Sequence, residues 1–577
     1  MKKLVLLIVL LTAFQATAQT TALTHQPRVL IVSPEQTGVL QTGGLAHATA
    51  DLAKTLIKLG VETEVLMPGY LAKTSTGGVE TGEKISVVIG GNQGEMPTQA
   101  AFKVSRESVR GNPTIYLNHV VTTQSKNYFD NNGIKAYSPE FFMGEAVGAY
   151  AQAAAKYIAE QNYDLVVLND WTSGLIALHL KDMAAKGVKI PKILFAIHNV
   201  AYQGVFPKAL GDFLRINRSH DALNGYEFHG QMSFLKTGLM YSDMTYTVSP
   251  TYAREIESAR SGAGLDGVIR MLHSQHRMTG ILNGIVNADW DPSVQREGLS
   301  HTFTTSDLSG KAVGRAEIQA EFGLPVDATK PVFALTSRLA EQKGFNYLIL
   351  ALDRIAKEGR SQVVIVGDGD ASYVENVKAL AAKYPDAVRY APFSNALEKK
   401  LMRHADFFVN AAWFEPSGLN QFFALRNGTL PVVSQVGGLK DSVKDGVNGI
   451  TFEIVPGANG ANYDYTKTQD NIVEAFGRAV TLFHNASELK AMRVRAMTED
   501  HSWEKRIKES YLPLFKYVLT EGYKTREFNP MRSERELRAE KPVEAKAPAL
   551  KPDAKKPSAL KPLGLTKHMS CPAVFMN

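Results

Sequence analysis

Apolar residues along this chain fall into short unbroken runs separated by stretches of helical spacing, which predicts buried parallel strands alternating with helices. Residues 28–34 (R-V-L-I-V-S-P) read as the first strand, and a turn at Gln41-Thr42-Gly43-Gly44 leads into a helix on which Leu45, Ala48, Leu52 and Leu56 recur at three and four. The next strand is 61–68, so the chain opens on a βαβ unit with glycines at its first turn. Strand-like runs continue at 164–168, 193–197, 244–248 and 280–282, with a helical stretch at 145–161. A second alternating series, with strands at 331–336, 362–366, 387–390, 406–409 and 431–433, describes another doubly wound unit. The stretch 291–327 is irregular and carries no strong strand, which puts the join near Val286. The expected fold class is α/β, with two Rossmann-like doubly wound domains facing a central cleft.

Polar residues collect just after several of these strands: Asn169-Asp170-Trp171, His198-Asn199, Ser249-Pro250 and Asn283-Gly284. Open α/β sheets bind ligands at strand carboxyl ends, so the repeated placement points to one shared cleft. Taken singly, His198 also fits a core histidine, and Asp170 and Ser249 fit helix caps. In the second series Arg338 and Lys343 follow a strand closely, as two cations that suit a diphosphate would, although a surface pair has the same spacing.

The stretch 413–428, W-F-E-P-S-G-L-N-Q-F-F-A-L-R-N-G, places Glu415 in a loop between strand and helix. Ser417 is suited to N-cap that helix, Leu419, Phe422, Phe423 and Arg426 fall on helical spacing, and Gly428 ends it before Pro431 opens a strand. Glu415 is thus a site candidate by its strand-end position, or else only a helix cap. Gly437 and Gly438 follow the last strand and open another helix, a second glycine-lined helix start after Gly43 and Gly44.

Composition changes the picture only at the ends. Lys2 and Lys3 precede the apolar run 4–14, and Ala16-Thr17-Ala18 completes an export signal, so residues 1–18 are expected to be cleaved and to leave no stable membrane anchor. The lone cysteine, Cys571, excludes an internal disulfide. Residues 531–577 form a Lys/Pro/Ala-rich tail too polar to build a core. The tail and the leader carry the whole formal charge of +7, so the folded part is near neutral and no nucleic-acid partner is indicated. A solvated linker is the plain reading of the tail, and contact with an acidic polymer or surface is the other.

The motifs T-G-G-L at 42–45, I-H-N-V-A-Y-Q-G at 197–204, F-L-K-T-G-L at 234–239, T-V-S-P-T-Y-A-x-E-I at 247–256, S-R-L-x-x-Q-K-G at 337–344, F-E-P-x-G-L-x-Q at 414–421 and G-G-L-x-D-S-V at 437–443 resemble those of bacterial glycogen synthases and plant starch synthases. These are GT-B glycosyltransferases of the family 5 type, and the resemblance covers about residues 27–523. It implies an acceptor-side domain over 19–285, a donor-side domain over 286–505 and a helix within 506–530 that packs back on the first domain. It also implies a retaining hexosyltransferase that extends an α-1,4-glucan from ADP-glucose or UDP-glucose, with no metal and no other cofactor. Arg338 and Lys343 would hold the diphosphate. Gly43, Gly44, Gly437 and Gly438 would approach the donor through backbone N–H groups, with Gln41 beside them. Glu415 would support positive charge at the anomeric carbon, His198 would lie over the sugar's other side, and Asp170 would lie near the acceptor. Asn283 would touch the sugar-phosphate and Tyr390 would stack on the base. Eight residues past Glu415, where many GT-B enzymes place a second Glu, stands Phe423.

Several motif positions depart from the family. Its K-T-G-G-L begins here with Gln41, its following Asp is His47, its H-D-W-H is Asn169-Asp170-Trp171-Thr172, its N-G-I-D ends in Val286, and its Cys after E-P is Ser417. Most changes fall on the acceptor half, so donor chemistry is expected to be kept and acceptor choice altered. An export signal on an enzyme using a cytoplasmic donor leaves three readings: an active exported α-glucan synthase, a GT-B protein that binds glycan without catalysis, and a transferase or phosphorolytic enzyme for another sugar.

Overall fold

The computed structural model describes residues 26–41, 43–69, 78–90, 98–120, 141–457 and 463–520. The expected signal peptide and the tail lie outside the described residues. Among the described residues eighteen strands run in chain order: β1 Arg28–Val32, β2 Glu62–Pro68, β3 Val79–Ile89, β4 Thr98–Val109, β5 Asn112–Val120, β6 Leu165–Asn169, β7 Lys192–Ile197, β8 Val205–Pro207, β9 Glu227–Phe228, β10 Gln231–Ser233, β11 Met244–Thr247, β12 Met278–Gly280, β13 Val332–Thr336, β14 Gln362–Val366, β15 Val388–Ala391, β16 Phe407–Asn410, β17 Leu430–Ser434 and β18 Ile450–Phe452.

The first sheet has the order β12-β11-β7-β6-β1-β2-β5-β4-β3. From β12 to β5 its strands run parallel, and β4 and β3 extend it as an antiparallel hairpin. The second sheet, β15-β14-β13-β16-β17-β18, is parallel throughout. Every residue of β6, β13 and β14 is buried, which is why these strands read as unbroken apolar runs. Chain order reverses between β1 and β6 in the first sheet and between β13 and β16 in the second. Ligand crevices form outside strand carboxyl ends at such reversals. The loops that carry Gln41, Gly43 and Asp170 flank one reversal, and those that carry Arg338, Lys343 and Glu415 flank the other.

The chain passes between the two sheets twice, and the two passes are bonded together. Ile285 N–H donates to His501 O (3.0 Å) and Trp503 N–H donates to Ile285 O (3.1 Å). A side chain at Gly284 would lie 2.6 Å from the Trp503 nitrogen, so glycine is what lets the strands cross this closely. Beyond the crossing Trp503, Ile507, Tyr511 and Phe515 are buried with Val29, Ile31 and Tyr246 under the first sheet.

Three readings are corrected. The strand placed at 280–282 is β12, two residues earlier. The stretch 291–327, read as irregular, carries the helix Ser309–Glu321. The hairpin β3–β4–β5 was not anticipated, because alternation such as F-K-V-S-R-E in β4 leaves no apolar run.

Candidate active site

Glu415 is buried in the loop between β16 and the helix Asn420–Arg426. Its carboxylate forms an ion pair with Lys343 and accepts from Asn410 Nδ2 at 3.3 Å. Gln342 locks the two loops together: its carbonyl accepts from Trp413 N–H (3.1 Å), its Nε2 donates to Phe414 O (3.3 Å), and its Oε1 accepts from Arg338 (3.2 Å). Gln342 was not among the expected site residues; its place in S-R-L-x-x-Q-K-G was the available signal. Ser417 does not cap the helix, since Gly418 at φ 69° delays the start and Leu419 takes the cap position. Ser417 Oγ instead accepts from Asn283 N–H at 3.4 Å, tying a residue after β12 to the Glu415 loop. The Asn283 Oδ1 is buried and has no partner.

The glycines of the second helix start serve packing. Gly438 N–H donates to Glu415 O (3.0 Å) and Gly437 N–H to Glu255 Oε1 (3.0 Å), so both amides are engaged within the protein. A side chain would come within 2.0 Å of Glu415 O at position 437 and 2.1 Å of Ser417 O at position 438. Tyr390 sits near the end of the edge strand β15, at the same end of the sheet, but its electrostatic neighbours are Asp368, Lys378 and Glu375 rather than the Glu415 group.

Across the cleft, Asp170 follows β6 at φ 55°, a backbone setting that costs on the order of 1–3 kcal/mol for a residue with a side chain. Its carboxylate Oδ1 accepts from His198 N–H at 2.7 Å, and so holds the loop after β7. Asn169 Nδ2 donates to Val32 O (2.8 Å), which turns Asn169 Oδ1 toward His198 Nε2 at 2.9 Å. His198 therefore carries its proton on Nε2 and leaves Nδ1 as an acceptor. Burial pulls His198 down to about 4, so it is neutral at physiological pH. Burial pushes Asp170 up to about 7, against the His198 and Asn199 amides that pull it down; Glu35 adds to the rise.

Glu35 itself escaped the sequence reading. It is buried after β1 and accepts from Gly43 N–H at 3.2 Å. In a loop it has no periodicity to reveal it, and its partner is a backbone amide. Gln41 Nε2 donates to His47 Nε2 at 2.9 Å. Gly44 marks where the halves meet, since a side chain there would lie 3.8 Å from Leu419 Cδ1. The field of Tyr252 likewise includes both Asp170 and Glu415.

Two doubly wound sheets whose switch points face each other, one presenting a Lys–Glu pair with an arginine and the other an Asp–His pair, define a glycosyltransferase of the GT-B class. A model of the starch synthase catalytic domain matches residues 28–271, and one of glycosyl transferases group 1 matches residues 317–456. The glycogen synthase of Myxococcus xanthus is 36% identical over 484 residues, covering 82% of this chain and 96% of that protein. That of Thioalkalivibrio sulfidiphilus is 33% identical over 503 residues, covering 85% and 100%. The solved catalytic domain of starch synthase IV from Arabidopsis thaliana, bound to ADP and acarbose, shares the fold with a TM-score of 0.74 at 23% identity, covering 86% of this chain and 100% of that one. The chain belongs to the family of bacterial glycogen synthases and starch synthases.

The Asp170 environment gives a signed prediction. Its folded value lies above the ordinary 3.8, so its contribution to stability is complete below pH 3.8 and is lost as pH rises through about 7. Asp170→Asn keeps an oxygen for the His198 amide and removes the buried charge. It should raise the melting temperature by about 2–4 °C at about pH 8.5, with a gain that shrinks toward about pH 5. Melts followed by circular dichroism check this, and a shift independent of pH would refute it.

Proposed function

We propose that this protein is a retaining glucosyltransferase that adds glucose from ADP-glucose to the non-reducing 4-hydroxyl of an α-1,4-glucan. The observation that carries the reading is the half-buried Lys343–Glu415 pair, with Arg338 alongside, at the switch point that faces Asp170 and His198. Arg338 and Lys343 take the diphosphate and balance its charge as the glycosidic bond breaks, each contributing a few kcal/mol in a closed cleft. Glu415 supports the positive charge that develops at the anomeric carbon. Neutral His198 lies over the sugar's other side, where an imidazolium would oppose that charge. With no second carboxylate assigned as nucleophile, retention proceeds on one face: the departing phosphate oxygen accepts the proton of the incoming hydroxyl. Closure excludes water that would hydrolyse the donor. Asn283 fits the sugar side of a sugar-phosphate contact because its buried Oδ1 lacks a donor and can accept from a hydroxyl, and Asp170 fits the acceptor side. Two cations at the diphosphate support a reaction without metal. The glycogen synthases it is related to, and the ADP and acarbose held by the Arabidopsis enzyme, support glucan as acceptor and an adenine nucleotide as leaving group.

Incubating the purified chain that lacks residues 1–18 with radiolabelled ADP-glucose or UDP-glucose and glycogen should give label in polymer. Lys343→Ala and Glu415→Ala should each reduce it by about 10²–10³-fold. Glycan binding without transfer from either donor would replace the synthase with a binding protein.

The loss of a cation at position 41 makes donor binding the weak point. Gln41→Lys should lower KM for ADP-glucose about tenfold, the worth of one charge-assisted hydrogen bond of about 1.5 kcal/mol. An unchanged KM would remove position 41 from the donor site.

Export remains part of the proposal, carried by the Lys2, Lys3, 4–14 and Ala16-Thr17-Ala18 pattern. Amino-terminal sequencing of the protein from its native cells should begin at Gln19, and a cytosolic chain beginning at Met1 would overturn it.

A further inference from the structure

The six-residue helix Pro250–Glu255 touches both halves of the active site at once. It begins at Ser249, whose Oγ accepts from Tyr252 N–H at 3.1 Å, and it is seated against β12 at Gly280, where a side chain would come within 2.3 Å of Ser249 O. Toward the first half, Tyr252 OH accepts from Val200 N–H at 3.1 Å, two residues beyond His198. Toward the second half, Thr251 donates twice to Asp441, from its N–H at 2.7 Å and its hydroxyl at 2.6 Å. In return Glu255 accepts from Gly437 N–H. The helices Pro250–Glu255 and Gly437–Ser442 thus exchange carboxylates, each supplying an acid to the free amides at the other's first turn.

The second helix carries the link onward. Its Gly438 N–H holds Glu415 O, and its glycines leave no space between it and residues 415–417. A displacement of Thr251 relative to Asp441 must therefore reach Glu415, while the same displacement reaches His198 through Tyr252. These contacts join residues 182 and 190 positions apart in the chain. None of the four side chains is among those assigned to the substrate.

We propose that Thr251, Tyr252, Glu255 and Asp441 are positioning residues, and that the helix Pro250–Glu255 is a yoke that sets Glu415 against His198 as the two halves close. The inference rests on the reading that Glu415 and His198 flank the donor sugar. Closure and completion of the reacting geometry are then one event, and a half-closed enzyme holds neither group in register.

The test separates this from the reading of function. In the chain lacking residues 1–18, with Cys571→Ser, spin labels are placed at Lys186→Cys and Lys378→Cys, which are exposed on opposite halves. Without substrate the parent should give one narrow distance distribution, and Thr251→Val with Asp441→Asn should broaden it toward longer distances. With ADP-glucose and glycogen the same pair should lower kcat about tenfold while KM for glycogen stays within about twofold, and Thr251→Ser should recover most of the loss. Glu255→Gln, which keeps an acceptor for Gly437, should be milder than Glu255→Ala; it serves if the double variant does not fold. A distance distribution unchanged by the substitutions would overturn the yoke, and so would a Thr251→Ser variant as slow as Thr251→Val. If the parent transfers no glucose, the functional reading fails and the distance measurement still decides the yoke.

Discussion

The Lys343–Glu415 ion pair is the constraint on which the second half of the site depends. Both partners are largely shielded from water, with side-chain exposures of 17% and 8%. Removing two charges from water costs several kcal/mol per ion, and apolar residues of the same volume would serve stability as well or better. The pair is therefore not explained by packing. It spans the reversal between β13 and β16, and the loops on both sides are shaped to hold it: Gln342 ties them together, Asn410 supplies a further donor, and Gly437 and Gly438 admit the helix that holds the Glu415 carbonyl. Such an arrangement fixes the Glu415 carboxylate beside a cation that suits phosphate oxygens.

The first half is organised by hydrogen bonds rather than by an ion pair. Asp170 holds a strained backbone angle because its carboxylate, its amide and its carbonyl all have partners: His198 N–H, Ala196 O and Ser173 N–H. Strain persists only where the surroundings over-determine it, and here they fix the loop that carries His198. Asn169 then selects the imidazole tautomer through Val32 O. One half thus presents an ion pair and the other a neutral imidazole oriented by hydrogen bonds, an asymmetry suited to a reaction in which charge develops at the diphosphate and the anomeric carbon.

Much of the fold was legible because parallel strands buried on both faces must be continuously apolar, as in L-V-V-L-N and V-F-A-L-T. The antiparallel strands β3, β4 and β5 alternate polar with apolar and hid from that criterion. Glu415, Arg338, Lys343, Asp170 and His198 were legible as polar residues at strand ends, where the sheet order brings them to the two reversals. What stayed illegible was contact across the chain: Ser417 to Asn283, and Glu255 and Asp441 between the halves. Spacing records periodicity within an element and carries no trace of a partner more than a hundred residues away. The Ser417 cap failed for a local reason, since Gly418 takes a left-handed angle and delays the helix.

Gln41 and His47 stand where the family has a cation and a carboxylate, and here they are bonded to each other. Burial and the nearby Arg110 depress His47, so it is uncharged at neutral pH. The two substitutions thus exchange an opposite-charge pair for a neutral hydrogen bond without changing net charge, and act as one change. Asn169, in place of the family histidine, is likewise no simple loss, because it orients His198. Gln41 and His47 hydrogen-bond to each other and Asn169 to His198, whereas Thr172 Oγ1 is buried without a partner, so the replacements are only partly knitted into the site that faces Arg338, Lys343 and Glu415.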